Sequence, residues 1–287
     1  MVRGMYTAAS GMTAQQHRLD ALTNNLANVD TTGFKRDQAV YKAFPELLLR
    51  RMSDDGVLRI PYRAQMPWGS IDKAPVVGRL GTGVELNEIY TIFEQGSFKE
   101  SGNPFDLALE GRGFFVVETP NGERLTRNGS FHVDPSGYLV TKDGFPVLGE
   151  DGLIRVTMNN FVVDEDGRVF ANDVYRDPDR LVSMIENQWE ETIELDRLRL
   201  VEVPNDRYLE KQGSSLWRTT WDSGDAEIAA EGFRPRVHQG FLETANVNPV
   251  TEMVEMIEVN RAYEANQKVI QTQDATTGKL INEVLRM

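Results

Sequence analysis

The sequence predicts an α+β protein in which two long terminal helices flank a mainly antiparallel β domain. Helical periodicity is confined to the two ends of the 287-residue chain, and short strand-like segments bounded by turn signals fill the middle. We therefore expect an N-terminal helix at 1–35, a connector at 36–83, a β domain at 84–240 with an insertion near 174–197, and a C-terminal helix at 241–287 that pairs with the first.

The N-terminal helix is indicated by a seven-residue apolar repeat that runs from about Val2 to Val29. Gly33 follows the repeat and suits a left-handed helix terminus. A seam this narrow requires a partner helix, which predicts a coiled-coil-like stalk. The predicted N-terminal seam consists of Met5, Met12, Leu19, Leu22, Leu26 and Val29.

The connector is predicted to be extended and to pack on its neighbours. Proline and glycine interrupt it repeatedly, and the three leucines at 47–49, after Pro45, favour one short helix. A floppy linker is the alternative, but Trp68 and other large apolar side chains are atypical of linkers.

The middle of the chain predicts short antiparallel strands. Turn sequences at 120–122, 134–137, 142–144 and 164–167 separate apolar segments of strand length. Turn signals every 8 to 12 residues are typical of a sandwich or barrel. Residues 178–195 are predicted to form an inserted helix or ribbon.

The C-terminal helix is predicted to begin at Pro249, with Asn248 as its N-cap. A helix of about 37 residues spans ~55 Å, which is too long to be hidden on a small globule. Its seam is apolar on one half and mainly polar, at Asn260, Gln267 and Asp274, on the other. The predicted C-terminal seam residues are Met253, Met256, Tyr263, Ile270, Ile281 and Val284.

Composition excludes several classes of function. The net charge of −13 argues against nucleic acid and anionic membrane as partners. The absence of cysteine excludes disulfides, thiolate metal sites and cysteine nucleophiles. No apolar run approaches the roughly 20 residues that span a bilayer, and no signal-peptide core follows the N-terminus, so we expect neither direct membrane insertion nor a cleaved secretory signal.

No residue pattern predicts catalysis or a cofactor. The three histidines, His17, His132 and His238, have no carboxylate or second histidine at ligand spacing. The glycines at 111 and 113 lie between predicted strands and indicate a tight turn in preference to a phosphate-binding loop. We therefore expect no enzyme activity, no cofactor and no metal.

Three ordered segments carry a family resemblance. Asn-Asn-Leu-Ala-Asn-Val-Asp-Thr-Thr-Gly-Phe-Lys at 24–35, after Ser-Gly-Met at 10–12, resembles the N-terminal signature of the bacterial flagellar basal-body rod and hook proteins. Gly-Phe-Leu-Glu-Thr-Ala-Asn-Val-Asn-Pro at 240–249 resembles their C-terminal signature. Residues 102–115, 126–131 and 139–144 are similar to their shared β domain.

This resemblance implies a structural subunit of the flagellar rod. Such proteins are exported by the flagellar type III apparatus without a cleaved signal, and stack helically with copies of themselves and other axial proteins in the periplasm. Paired terminal helices would line the tube, and the β domain would form its outer wall. The residues assigned to the helix-to-body junctions are Asn28, Gly33, Phe34, Asn246, Asn248 and Pro249.

The type of rod subunit is less specifically indicated. The chain is too short for the extra domain of a hook protein. Residues 80–84 are similar to the distal rod protein, whereas 6–12 and 44–48 favour a proximal paralogue, and 174–197 departs from both. From a different class of function, a secreted or surface β-sandwich binding module on a helical stalk is the alternative.

Overall fold

The structure is a computed structural model that describes residues 2–50, 76–156, 161–172, 192–230, 232 and 234–284. Helix α1 spans Val2–Ala27 and helix α2 spans Pro249–Val284, with nineteen strands between them in the described residues. The predicted α+β class, with terminal helices flanking a mainly antiparallel β domain, is confirmed.

The chain divides into two compact units. The first unit comprises Met1–Asp20, Ala39–Ile89 and Met256–Met287, and the second unit comprises Ala21–Gln38 and Tyr90–Glu255. Both helices therefore contribute residues to both units.

In the first unit, parts of α1 and α2 are accompanied by short antiparallel strands. Strand β2 pairs with β3 through Leu47 opposite Leu80, and β1 pairs with β4. Tyr41 donates its hydroxyl to the main-chain oxygen of Ala14, at 2.9 Å, and so ties the connector to α1. The bounds are β1 Asp37–Ala43, β2 Leu47–Arg50, β3 Val76–Leu80 and β4 Val84–Thr91.

The short helix expected in the connector is wrong, because the leucines at 47–49 form strand β2. A helix of four residues would leave nearly all of its main-chain groups without intrahelical partners. Pairing with β3 supplies those hydrogen bonds instead. The remainder of the expected connector, residues 51–75, lies outside the described residues.

The second unit is built on a six-stranded antiparallel sheet in the order β15-β16-β8-β7-β14-β17. The predicted hairpin at 120–122 is confirmed, because Thr119 faces Gly122 across β7 and β8. The turns at 134–137, 142–144 and 164–167 are also present. The strands of this unit are β5 Phe98–Glu100, β6 Leu107–Glu110, β7 Phe114–Thr119, β8 Gly122–Thr126, β9 Phe131–Val133, β10 Leu139–Thr141, β11 Val162–Val163, β12 Arg168–Asn172, β13 Thr192–Arg197, β14 Leu200–Glu202, β15 Glu210–Gly213, β16 Leu216–Arg218, β17 Glu227–Ile228, β18 Arg236–Gln239 and β19 Phe241–Glu243.

Strand β7 is buried on both faces. Phe115 and Val117 point into one apolar cluster, and Phe114 and Val116 point into a second cluster that contains the fully buried Trp217. Alternate residues of a strand face opposite sides of the sheet, so an uninterrupted apolar run is what two cores require.

Two further strand pairs bring the ends of the β domain together. Strand β6 pairs with β18, and β5 pairs with β19, which ends six residues before α2 begins. Of the expected insertion at 174–197, residues 192–197 form β13, which pairs with β12. Its other residues, 174–191, lie outside the described residues.

Candidate functional site

The predicted N-terminal seam lies on the shielded side of α1. In the first unit, Met5, Met12 and Leu19 are half-buried and Ala8 is buried. The seam residues of the second unit are the buried Leu22 and the half-buried Leu26 and Val29.

Only half of the predicted seam of α2 is shielded. Met256, Tyr263 and Ile270 are half-buried, but Met253 and Ile281 are 50% and 55% exposed. Val284 is the last helical residue. Shielding by neighbours within the chain therefore does not account for Met253 and Ile281.

The polar half of that stripe is displaced by one residue from the prediction. Asn260, Gln267 and Asp274 are exposed, whereas the shielded positions are their predecessors Val259, Asn266 and Gln273. Apolar positions in such a helix are spaced alternately three and four residues apart, and the same seven-residue repeat results whichever step comes first. Periodicity alone therefore does not show which of two neighbouring residues is shielded. The burial of Val259, which is only 2% exposed, selects the face.

The start of α2 is capped as its sequence predicts. The Oδ1 atom of Asn248 accepts hydrogen bonds from the main-chain N–H of Val250, at 3.0 Å, and of Thr251, at 3.5 Å. Pro249 occupies the first helical position, where its missing N–H costs nothing.

Asn25, near the end of α1, joins three segments of the second unit. It exchanges two hydrogen bonds with the main chain of Asp37, both 2.9 Å long, as a neighbouring strand would. Its Nδ2 atom also donates to Oε2 of Glu252 in α2, at 3.3 Å. Both side chains are almost fully buried, and the guanidinium of Arg36 lies 3.8 Å from the Glu252 carboxylate. This amide holds the end of one helix to the beginning of the other.

Asn246 makes a similar connection just before α2. Its side chain accepts the main-chain N–H of Arg36 at 2.8 Å and donates to the main-chain oxygen of Ile92 at 2.8 Å. The segment that leaves α1 and the segment that enters α2 are thereby held to the end of β4.

Lys35, Arg127 and Glu243 form what we call the buried ion cluster. The Lys35 ammonium lies 2.6 Å from Oε1 of Glu243 and donates to the main-chain oxygen of Glu94 at 2.7 Å. The guanidinium of Arg127 lies 3.7 Å from Oε2 of the same carboxylate and donates to the main-chain oxygen of Gly111. All three cluster side chains are at most 3% exposed.

Burial controls the electrostatics of this cluster. Desolvation lowers the pKa of Lys35, and the attraction and hydrogen bond of Glu243 act against that shift. Desolvation also lowers the pKa of Arg127, again opposed first by Glu243. One carboxylate therefore compensates two buried cations, which makes Glu243 the residue on which the cluster depends.

The other three predicted junction residues lie between the end of α1 and Lys35. Gly33 has a φ of +66°, and its N–H donates to the main-chain oxygen of Glu243 at 2.8 Å. A Cβ atom at Gly33 would lie 2.6 Å from main-chain atoms of Arg127 and Asn128, so only glycine fits. Phe34 is buried, and Asn28 accepts from the Thr31 side chain in the turn after α1.

Sequence similarity covers the same three regions. The sequence-family model described as "Flagella basal body rod protein" matches residues 5–35. The family model "Flagellar hook protein FlgE/F/G D1 domain" matches residues 108–171, and the family model "Flagellar basal body rod FlgEFG protein C-terminal" matches residues 238–283. The flagellar basal-body rod protein FlgG of Borreliella burgdorferi is 36% identical over 283 residues, which is 97% of each chain.

The chain belongs to the flagellar basal-body rod protein family.

Two relatives from Bacillus subtilis extend the comparison. Its FlgG is 30% identical over 98% of this chain and 99% of the relative. Its flagellar hook-basal body complex protein FlhO is 33% identical over 99% of each chain. This rod-family chain is thus a structural subunit of the flagellar basal-body rod that assembles with other axial components, as predicted, and the alternative of a stalked binding module is set aside.

The buried ion cluster takes one residue from each of the three matched segments of the rod family: Lys35, Arg127 and Glu243. Sequence reasoning did not select these three, nor Asn25 and Glu252. The available signal was a charged or amide residue inside each signature, but these residues pair with partners up to 227 positions away in the sequence.

One histidine of this rod protein departs from expectation. His238 on β18 lies 2.8 Å from the carboxylate of Glu110 on β6, a partner that linear spacing did not reveal because strand pairing joins them. The hydrogen bond from His238 lowers the pKa of Glu110. Among the described residues, no group of three or more histidine and acidic side chains could hold a metal ion, and no helix is long and apolar enough to cross a membrane.

Proposed function

We propose that this subunit polymerises helically, with copies of itself and with neighbouring rod and hook proteins, into the hollow shaft that transmits torque and conducts exported subunits. The proposed domains are the two axial helices at 1–35 and 241–287, the connector at 36–83 and the β domain at 84–240. No enzyme activity and no cofactor are part of this proposal.

The observation that carries the proposal is the junction in the second unit. Asn25 and Glu252 hold the end of α1 to the start of α2, and the buried ion cluster fixes the flanking segments to the β domain. A shaft under torque requires that its helices and outer wall do not turn independently. Buried ionic and amide contacts resist such turning because each is costly to break.

The exposed side of α2 supplies the second support. Val250, Met253 and Val254 lie within one turn of each other in the second unit and are between 50% and 69% exposed. In the first unit, Ile257 and Ile281 are 52% and 55% exposed. Apolar side chains left uncovered on a long helix are typical of surfaces that neighbouring subunits bury. We assign the predicted seam residues Met253 and Ile281 to such contacts between subunits.

A deletion strain tests the proposal. We expect cells without this protein to be non-motile and to hold basal bodies whose rods are absent or incomplete by electron microscopy, with both defects restored by the wild-type gene. Complete rods and normal swimming in the deletion strain would contradict the proposal. Double substitution of Met253 and Ile281 by serine should reproduce the defect without changing the fold of the purified protein. Matched serine substitution of Thr272 and Thr276, exposed polar positions of the same helix, is the control.

Export and position are tested separately. We propose a periplasmic rod subunit that leaves the cytoplasm by the flagellar type III apparatus without a cleaved signal. Mass spectrometry of the protein from isolated basal bodies should find the N-terminal helix intact, and loss of α1 would contradict this route. Gold-labelled subunits near the inner end of the rod would identify the proximal type, and labels near the hook would identify the distal type.

A further inference from the structure

Two glycines of α1 receive amide side chains from α2 in the first unit. A Cβ atom at Gly4 would lie 2.4 Å from Nε2 of Gln273, and a Cβ atom at Gly11 would lie 3.1 Å from Nδ2 of Asn266. The glycines are seven residues apart, and so are the amides. The helices therefore run antiparallel in a repeating layer, and an amide occupies the space that any side chain at the glycine would need.

The second unit contains one more polar pair from the same two helices. Asn25 donates to Glu252 at 3.3 Å, and both are at most 2% exposed. Residue numbers add to 277 in this pair, as they do in the two glycine–amide pairs. One register is thus followed by all three contacts.

The apolar residues do not define this register by themselves. Met5, Met12 and Leu19 repeat every seven residues, and so do Met256 and Tyr263. Sliding one helix by seven residues would again place apolar side chains opposite one another, so the apolar pattern tolerates the slip.

The polar contacts tolerate it less well, because a slip of seven residues would keep one of the two glycine–amide pairs and lose the other. A slip of seven residues in one direction would place Asn25 opposite Val259, and a slip in the other direction would place it beyond the start of α2. Either slip removes the hydrogen bond that Asn25 donates to the buried Glu252 carboxylate.

We propose that Gly4 with Gln273 and Gly11 with Asn266 are the register-determining residues of the helix pair, and that each pair forms within one chain. The glycines are recesses of defined position, and the amides are the side chains that fit them. This inference goes beyond the proposed rod function, because it concerns how one chain pairs its own ends and holds whether or not the subunit polymerises.

Engineered disulfides test the register directly, because the chain has no cysteine of its own. The Cγ atom of Asn266, which a cysteine sulfur would approximately replace, lies 3.5 Å from the Cβ position of Gly11, close to the geometry of a disulfide. The test variant is G11C with N266C. The slipped controls are G11C with Q273C and G11C with V259C.

In dilute, purified full-length protein, we expect the test variant to oxidise at least tenfold faster than either control. The product should be an intrachain bond, seen as a faster-migrating monomer and confirmed by peptide mass spectrometry. Equal rates for a slipped pair, or a product that is mainly an interchain dimer, would overturn the proposal.

Substitution of Gly11 independently tests whether this glycine sets the register. The rate at which the G4C–Q273C disulfide forms is the readout. Gly11→Leu should slow formation of that bond at least tenfold because the side chain displaces Asn266, although leucine favours helix more than glycine does. Gly278→Leu is the matched control, since nothing lies within 4 Å of a Cβ atom there. Exchanging the layer, with Gly11→Asn and Asn266→Gly together, should restore the rate. An unchanged rate in Gly11→Leu would refute the assignment.

Discussion

Replacement of Glu243 by glutamine is the most informative perturbation of the junction. The carboxylate accepts from the Lys35 ammonium at 2.6 Å and from the main-chain N–H of Gly96 at 2.9 Å, and Arg127 lies 3.7 Å from its other oxygen. Glutamine has the same shape but carries no charge. The variant therefore keeps the packing and leaves two buried cations without a counter-ion.

The expected loss of unfolding free energy follows from the number of cations left unpaired. Breaking a buried ion pair by removing one partner destabilises a protein by about 3–5 kcal/mol. Glu243→Gln strands two cations, so we expect a loss near the upper end. Lys35→Met leaves Glu243 with Arg127 and the Gly96 N–H, so we expect a loss near the lower end. The double variant should lose less than the sum of the two, because the residues share one interaction.

Urea unfolding of the purified protein, followed by far-UV circular dichroism, measures these losses. The matched control is Lys42→Met, which removes a pair with Glu85 of similar length, 3.0 Å, whose side chains are 57% and 38% exposed. Solvent screening limits that loss to less than ~1 kcal/mol. A Glu243→Gln variant within ~1 kcal/mol of wild type would refute the argument that burial makes the cluster essential.

Three further changes test the junction and its surroundings. Gly33→Ala should lose more than ~2 kcal/mol of unfolding free energy, since the left-handed conformation alone costs alanine about 1–2 kcal/mol and its methyl group meets main-chain atoms; Gly81→Ala, with open space around it, should stay within ~0.5 kcal/mol of wild type. Asn248→Ala should lose ~1 kcal/mol of unfolding free energy, measured with urea, whereas Asn248→Ser should keep most of this contribution because serine also caps helices. Equal losses in the two variants would exclude a capping role. Because the pKa of Glu110 is lower in the folded protein than its ordinary value of 4.5, the stability that this carboxylate contributes is fully present above pH 4.5. That contribution is lost as the pH falls through the lower pKa of the folded state. The difference in unfolding free energy between wild type and Glu110→Gln should shrink as the pH falls, and should shrink less in a His238→Phe background, where only Arg236 still lowers the pKa of Glu110.

The terminal helices and most turns were predictable because their signals are local. Asn248 followed by Pro249 specifies a helix start whatever surrounds it, and the turns at 120–122 and 164–167 have the residues that their main-chain angles require. The apolar run of β7 likewise predicts a strand buried on both sides.

Other features depend on partners that are distant in sequence. The leucines at 47–49 become a strand only because 76–80 are available to pair with them. The shielded face of α2 is selected by α1 and differs from the prediction by one position at Val259. Lys35 and Glu243 meet across 208 residues, so no local pattern of charge identifies them as buried.

That separation has a consequence for the order in which the protein is completed during synthesis. The last strand of the six-stranded sheet ends at Ile228, whereas the partners of β5 and β6 and the counter-ion of Lys35 follow between 236 and 243. A nascent chain that ends before residue 236 can build its sheet but has two strands without their pairing partners and a lysine without its carboxylate. Unfinished chains therefore expose unpaired strand edges, and these edges are closed only when residues 236–243 have been made.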